Sequence, residues 1–304
     1  MLHRPLVHRL LAASFLAAAC LAAPVQPAAA SVPCAVPQAV SARSTAADVN
    51  VVTPREAART EASFHSDAGR RADAPTAPRA AAAPSPVRVW AHVVAADSTA
   101  DGGNVPDSVL AHQVQVLNEG FAPTGFSFTL AGADRTVNPS WHRSTTAGSP
   151  QESAMKQALR RGGASDLNIY ILDTSATGKT GWATFPWDYA ADPANDGIVV
   201  SYRALPGGQA PHGLGREVTR EAGHWLGLYN VFQGGCSGPG DYIDDTPAAA
   251  FAASGCPEGR DTCAAPGVDP IHNFMNYTDD ACRNHFTSGQ ANRMTHAAAH
   301  YRGM

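Results

Sequence analysis

The sequence predicts an α+β fold: a mixed twisted sheet with helices, a helix that carries a sequence motif, then an irregular disulfide-bridged C-terminal subdomain ending in a helix. Three observations predict it. Strand-like and helix-like stretches succeed one another from residue 87 to the motif helix, the pattern of helices layered on a sheet. After Gly227 the periodicity gives way to Gly, Pro, Asp and Cys. Four cysteines, Cys236, Cys256, Cys263 and Cys282, follow within that second part.

Residues 1–30 have the form of an export signal. His3, Arg4, His8 and Arg9 make a basic start, residues 10–23 are apolar but too few for a membrane span, and a small-residue cleavage site falls after Ala30. The expected location is therefore extracellular, where disulfides persist. Of the six cysteines, leader removal takes Cys20 and leaves Cys34 with the C-terminal four. Those four read as two bridges, with three possible pairings. They contain no C-x-x-C pair, which argues against a metal site. The net charge of −4 gives no support for a nucleic-acid partner. Aromatic content of only 7% leaves the core to Ala, Val and Leu.

Residues 31–86 are rich in Ala, Pro, Arg and Ser without apolar periodicity and read as a low-complexity pro-segment or linker. The folded domain is expected over 87–304, divided at 227/228. In residues 87–94, Val87, Val89, Ala91 and Val93 alternate as a strand should. Leu110, Val114, Leu117 and Phe121 then mark one face of a helix. Phe126, Phe128 and Leu130 alternate as a second strand. A helix over 152–161 stops at Gly162-Gly163. LNIYIL at 167–172 is apolar enough for a central strand. Short strands follow at 181–185 and 197–202. Thr287 and Gln290 fit the capping box of a last helix.

The helix preceding Gly227 carries REAGHWLGLYN, residues 220–230. In H-E-x-x-H, residues four apart share a helix face, so two imidazoles converge on a zinc ion while the Glu reaches its water. The longer form H-E-x-x-H-x-x-G-x-x-H turns back at Gly and brings in a third His. Here Glu221, His224 and Gly227 match, but the first and third ligand positions hold Arg220 and Asn230. NFMNY at 273–277 has the form of the methionine turn that underlies such sites.

These stretches, with GHWLGLYNVFQGGCSGPGDYIDDTP (223–247), GRDTC (259–263), DPIHNFMNYTDDACRNHFTSGQANRM (269–294) and WATFP (182–186), resemble the pappalysin family of metzincin metallopeptidases, in particular its secreted bacterial members. The resemblance runs from residue 87 to the C-terminus. It implies a metzincin-like fold and a secreted zinc endopeptidase. Glu221 would be the general base, His224 a zinc ligand, Met275 the methionine-turn residue and Tyr277 a neighbour of the oxyanion. Gly181, Trp182, Ala183 and Thr184 would form the cleft edge that pairs with an extended peptide. The family's bridges would be Cys236–Cys263 and Cys256–Cys282. Its calcium loop would be DYIDDTP, with Asp241, Asp244 and Asp245.

The departures bear on function. Arg220 has no lone pair to give and stays charged. An amide oxygen from Asn230 is a poor zinc ligand beside imidazole, thiolate or carboxylate. His212 and His272 are candidate substitutes, though a surface role suits them better; His285 and His296 belong in or beside the final helix. Arg220 is expected to pair with an acid, Glu221 or an acidic loop residue, and because adjacent helix positions do not face each other the partner elsewhere is favoured. Cys34 is either a zinc-capping thiolate or a thiol without function. The expectation is a family member impaired in peptide hydrolysis. The alternatives are an active endopeptidase with substitute ligands, and a relative that only binds peptides.

Overall fold

Five strands form one mixed sheet in the computed structural model, which describes residues 50–72 and 85–304. The expected leader, Cys34 and residues 73–84 lie outside the described residues. In chain order the regular elements are α1 (Pro54–Ala72), β1 (Val87–Ala95), α2 (Asp107–Phe121), β2 (Phe128–Val137), α3 (Pro139–Ser144), α4 (Pro150–Leu159), β3 (Asp166–Leu172), β4 (Gly181–Ala183), β5 (Ile198–Ser201), α5 (Arg216–Trp225) and α6 (Ser288–Ala297). The sheet order is β2-β1-β3-β5-β4. Only β4 runs antiparallel to its neighbour.

Hydrophobic patterning explains the layers. Val87, Val89, Ala91 and Val93 of β1 face α2 and α5, where Leu110, Leu117, Phe121, Val218, Ala222 and Trp225 complete one core. On the other face Val94, Tyr170, Leu172 and Val199 pack on Met155 of α4. All seven residues of β3 are buried, its apolar side chains in the core and Asp166 and Asn168 paired with Arg88 and His92. Each fully buried large side chain here contributes about 1.5–3 kcal/mol. The strand expected from Phe126 begins at Phe128 and runs on to Val137, and the one expected over 181–185 is regular only to Ala183.

The segment 31–86 contains more order than its composition suggests. Helix α1 starts at a capping box: Thr53 Oγ1 accepts from Glu56 N at 3.2 Å, and Glu56 Oε2 accepts from Thr53 N at 2.9 Å. Pro54 takes the first helical position, where its missing N–H costs nothing. Among residues 54–66 of the helix, Ala57, Glu61 and Phe64 are buried. Glu61 is held by Arg293 of α6 through two hydrogen bonds, one of 2.9 Å.

Beyond Trp225 the chain is irregular up to α6. The bridges Cys236–Cys263 and Cys256–Cys282 link its loops, the pairing that the family resemblance implies. α6 opens on the expected capping box of Thr287 and Gln290.

Candidate active site

Helix α5 supplies the centre of the site. It ends where Gly227 takes φ +97°, and a Cβ there would stand 2.9 Å from that of Ala297. The turn lets Leu228 N donate to Gly223 O at 2.9 Å and brings the Leu228 carbonyl to His224 Nδ1 at 2.7 Å. A carbonyl only accepts, so Nδ1 carries the proton and Nε2 the lone pair. That lone pair faces Arg220 Nη1 at 3.2 Å. Met275 lies beneath the helix: a Cβ on Gly223 would meet its sulfur at 2.5 Å.

Arg220 is buried in acidic company. Its Nη2 donates to Glu217 Oε1 at 2.6 Å and also to Glu221. Its guanidinium carbon lies 4.7 Å from the centre of the Tyr277 ring, a cation–π contact. The pairing with Glu221 corrects the expectation that adjacent positions would not meet. The long Arg side chain folds back far enough to touch both acids of its own helix. Glu217 is the anchor that the sequence reading missed. Thr180 donates to it at 2.6 Å, and Arg283 approaches its other oxygen at 3.3 Å. Arg283 in turn binds Asp280, whose Oδ2 accepts from Leu214 N and Arg216 N at the start of α5. Burial pushes the Glu217 carboxyl up, but the guanidiniums of Arg220 and Arg283 and the hydrogen bonds from Arg220 and Thr180 outweigh it and hold it well below the usual carboxylate range. The spacing of Glu217 and Arg220, three apart on a helix, was a usable signal; Asp280 and Arg283 offered none.

Asn230 is buried, and its Nδ2 donates toward the Tyr277 hydroxyl at 3.4 Å and Asn50 O at 3.5 Å. Its Oδ1 has no hydrogen-bond partner among the described residues. Strand β4 borders the site. A Cβ on Gly181 would come within 3.4 Å of the Glu221 side chain. Ala183 offers its outer edge to Asn50, whose Oδ1 accepts from Ala183 N at 3.1 Å while its Nδ2 donates to Ala183 O at 2.9 Å. One side-chain amide thus makes the pair of bonds that an added strand would make. Thr184, just beyond β4, donates to Asp196 at 3.0 Å. Tyr277 packs edge-on against Phe232.

The residues present do not fit a zinc ion. Of the three family ligand positions one is imidazole, and its Nε2 faces a permanent cation. His212 lies 3.9 Å from Asp280, and His272 contacts Cys282 and Glu258, so each is engaged elsewhere. The calcium loop does not assemble a cage either. Asp241 turns inward to Thr246 Oγ1 (2.6 Å) and Ile243 N, Asp245 accepts from Gly289 N at the start of α6 (2.8 Å), and Asp244 is exposed. Burial pushes the Asp241 carboxyl up to about 7, and its Oδ2 has no hydrogen-bond partner among the described residues.

A five-stranded mixed sheet over a helix with E-x-x-H-x-x-G and a methionine beneath it defines a metzincin-type metallopeptidase. The chain belongs to the pappalysin family of these proteins. Residues 163–299 match the M43 peptidase family described as pregnancy-associated plasma protein-A. An extracellular metalloprotease of Pyricularia oryzae is 45% identical over 219 residues, covering 71% of this chain and 76% of its own. One from Sordaria macrospora is 47% identical over 221 residues, covering 71% and 75%. Among solved structures, mature mirolysin of Tannerella forsythia in complex with a cleaved peptide is 31% identical, with TM-score 0.57, covering 69% of this chain and 91% of its own. A promirolysin mutant of the same organism is 27% identical, with TM-score 0.62, covering 84% and 94%. Peptide hydrolysis with a metal cofactor is the chemistry of this family. Among the described residues no helix is long and apolar enough to cross a membrane.

Proposed function

We propose that this chain is an exported pappalysin-type protein that keeps the peptide cleft of a zinc endopeptidase and is impaired in peptide-bond hydrolysis. One observation carries the reading: the Arg220 guanidinium faces the lone pair of His224 Nε2 at 3.2 Å and binds Glu221, so a fixed cation engages both the remaining ligand and the expected base. A dication brought to the same place meets like charge. Loss of outer-shell partners alone costs about 10–100-fold in metal affinity or activity, and here two inner ligands are replaced.

Two observations support retention of the cleft. The outer edge of β4 exchanges a peptide-like pair of hydrogen bonds with Asn50, and a structural neighbour is a complex with a cleaved peptide. The partner class is therefore an extended peptide or protein segment. Residues 1–30 act as the export signal, and residues 31–86 as a pro-segment rather than a bare linker. The ordered helix α1 supports the latter, as does the wider coverage by the promirolysin structure than by the mature one.

The test is metal analysis of the purified protein together with cleavage of a denatured protein substrate, with and without chelator. Sub-stoichiometric zinc and no chelator-sensitive cleavage are expected. The double change Arg220→His with Asn230→His should gain both. Stoichiometric zinc and chelator-sensitive cleavage in the unaltered chain would overturn the impaired reading in favour of substitute ligands.

A further inference from the structure

We propose that Cys256, Cys282, His272 and Glu258 form a second metal site, gated by oxidation: closed while the disulfide stands, and open to a zinc-class divalent ion once a thiol or phosphine reductant has split it. This is the only group of three or more Cys, His, Asp or Glu donors that converges among the described residues, with one donor atom of each within 4.8 Å of every other. It lies apart from the Arg220–His224 centre in donor set and in chain position, and neither the family chemistry nor the proposed function uses it.

Two of the spacings already suit a metal. Bonds of about 2.0–2.3 Å to O, N and S place tetrahedral donors about 3.3–3.8 Å apart. His272 Nε2 stands 3.3 Å from Glu258 Oε1, and Cys256 Sγ 3.5 Å from the same oxygen. The remaining donors lie within 4.8 Å of one another, with Cys282 Sγ 3.4 Å from Nδ1 of the ring, so after reduction the two sulfurs must part and swing toward Nε2 by rotation about their own side chains. The histidine is set in the right orientation: its Nδ1 donates to the Cys282 carbonyl at 2.7 Å, which turns Nε2 toward the Glu258 carboxylate, to which its proton is donated until an ion takes that proton's place. A ring N–H given to a backbone carbonyl is the usual second partner of a metal-ligating imidazole. Cys256 and Glu258 are exposed, so an ion has a path in, while Cys282 is buried and anchors the floor. The other bridge, Cys236–Cys263, has no such company.

The chemistry balances. Two equivalents of a thiol RSH reduce the bridge to two cysteine thiols and leave as RSSR, the sulfurs taking up two electrons and two protons. The ion then displaces both thiol protons and the Nε2 proton of His272 to solvent and is held by two thiolates, one neutral imidazole and one carboxylate. In a chain not yet oxidised, such an ion would tie together the same two loops that the covalent bond later ties.

The experiment uses the full chain, reduced with a phosphine under nitrogen and titrated with Co2+, whose thiolate charge-transfer bands report sulfur ligation. One tetrahedral cobalt per chain is expected, with affinity lowered more than about ten-fold by His272→Ala, since an inner ligand should cost at least what an outer-shell partner does; the oxidised chain should show no thiolate bands. As a second measurement, Cd2+ should slow alkylation of Cys256 and Cys282, resolved by peptide mass spectrometry, and leave Cys236 and Cys263 unprotected. Absence of thiolate bands in the reduced chain, indifference to His272→Ala, or protection spread evenly over the four cysteines, as an unfolded reduced chain would give, overturns the proposal.

Discussion

Arg220 puts a permanent charge where the family motif has a lone pair. A buried guanidinium beside a single neutral imidazole would be costly to hold. Glu217 and Glu221 make it affordable in the ordinary electrostatic sense, and removing one partner of such a buried pair typically costs about 3–5 kcal/mol. Asp241 is the contrasting case, a buried carboxyl for which hydroxyl and amide donors and the charge of Arg293 do not offset the cost of burial. Its folded pKa, about 7, lies above the ordinary 3.8. Between those values the folded state holds a proton that the unfolded chain has released, so stability falls as pH rises through that window. Asp241→Asn keeps the acceptor and removes the titration. It is expected to raise stability by about 2–4 kcal/mol near pH 8, the gain vanishing toward pH 4. Urea midpoints measured across that range check it; calcium held by Asp241 would reverse the sign in calcium-containing buffer.

Helix α1 is held by its docking rather than by its own sequence. Among residues 54–66 its buried positions are Ala57, Phe64 and a charged Glu61, so no apolar stripe announces it, and composition alone reads as linker. The legible signals were local: Thr53 and Glu56 at capping-box spacing, with Pro54 between them. Docking depends on the Glu61–Arg293 pair and on Asn50 at the edge of β4. Glu61→Gln leaves Arg293 buried without its carboxylate. We expect docking of α1 to weaken by about 3–5 kcal/mol, seen as faster amide exchange over 54–66 while β1 and β3 stay protected. Unchanged exchange in α1 would mean that the apolar contacts alone hold it. The strands, by contrast, were readable because their periodicity is a property of neighbouring residues. β2 was read short because Gly132 and the exposed alanines interrupt that pattern, and only pairing with β1 shows where it ends.

Across the molecule, ionic links tie α5 to the chain segments that follow it. Glu217, Arg283 and Asp280 connect α5 to the loop beyond Met275, and Arg302 binds Asp196 and the Trp225 carbonyl. A fold held this way should have the same thermal midpoint with and without chelator. A zinc ion bound only by the folded state at a thousand times its Kd would add about 4 kcal/mol, a loss of roughly 10 °C on removal. A chelator-sensitive midpoint in scanning calorimetry would place a metal back in the fold.

The family, the motif helix, the core strands and the missing donors were all present in the order of residues, because periodicity is local and a guanidinium lacks a lone pair in every conformation. The match of Arg220 with Glu217 and Glu221, the seating of α1 beside β4, and the meeting of His272 and Glu258 at a disulfide came from the folded chain. Distances between residues far apart in sequence are set by packing of the whole core, and no local pattern encodes them.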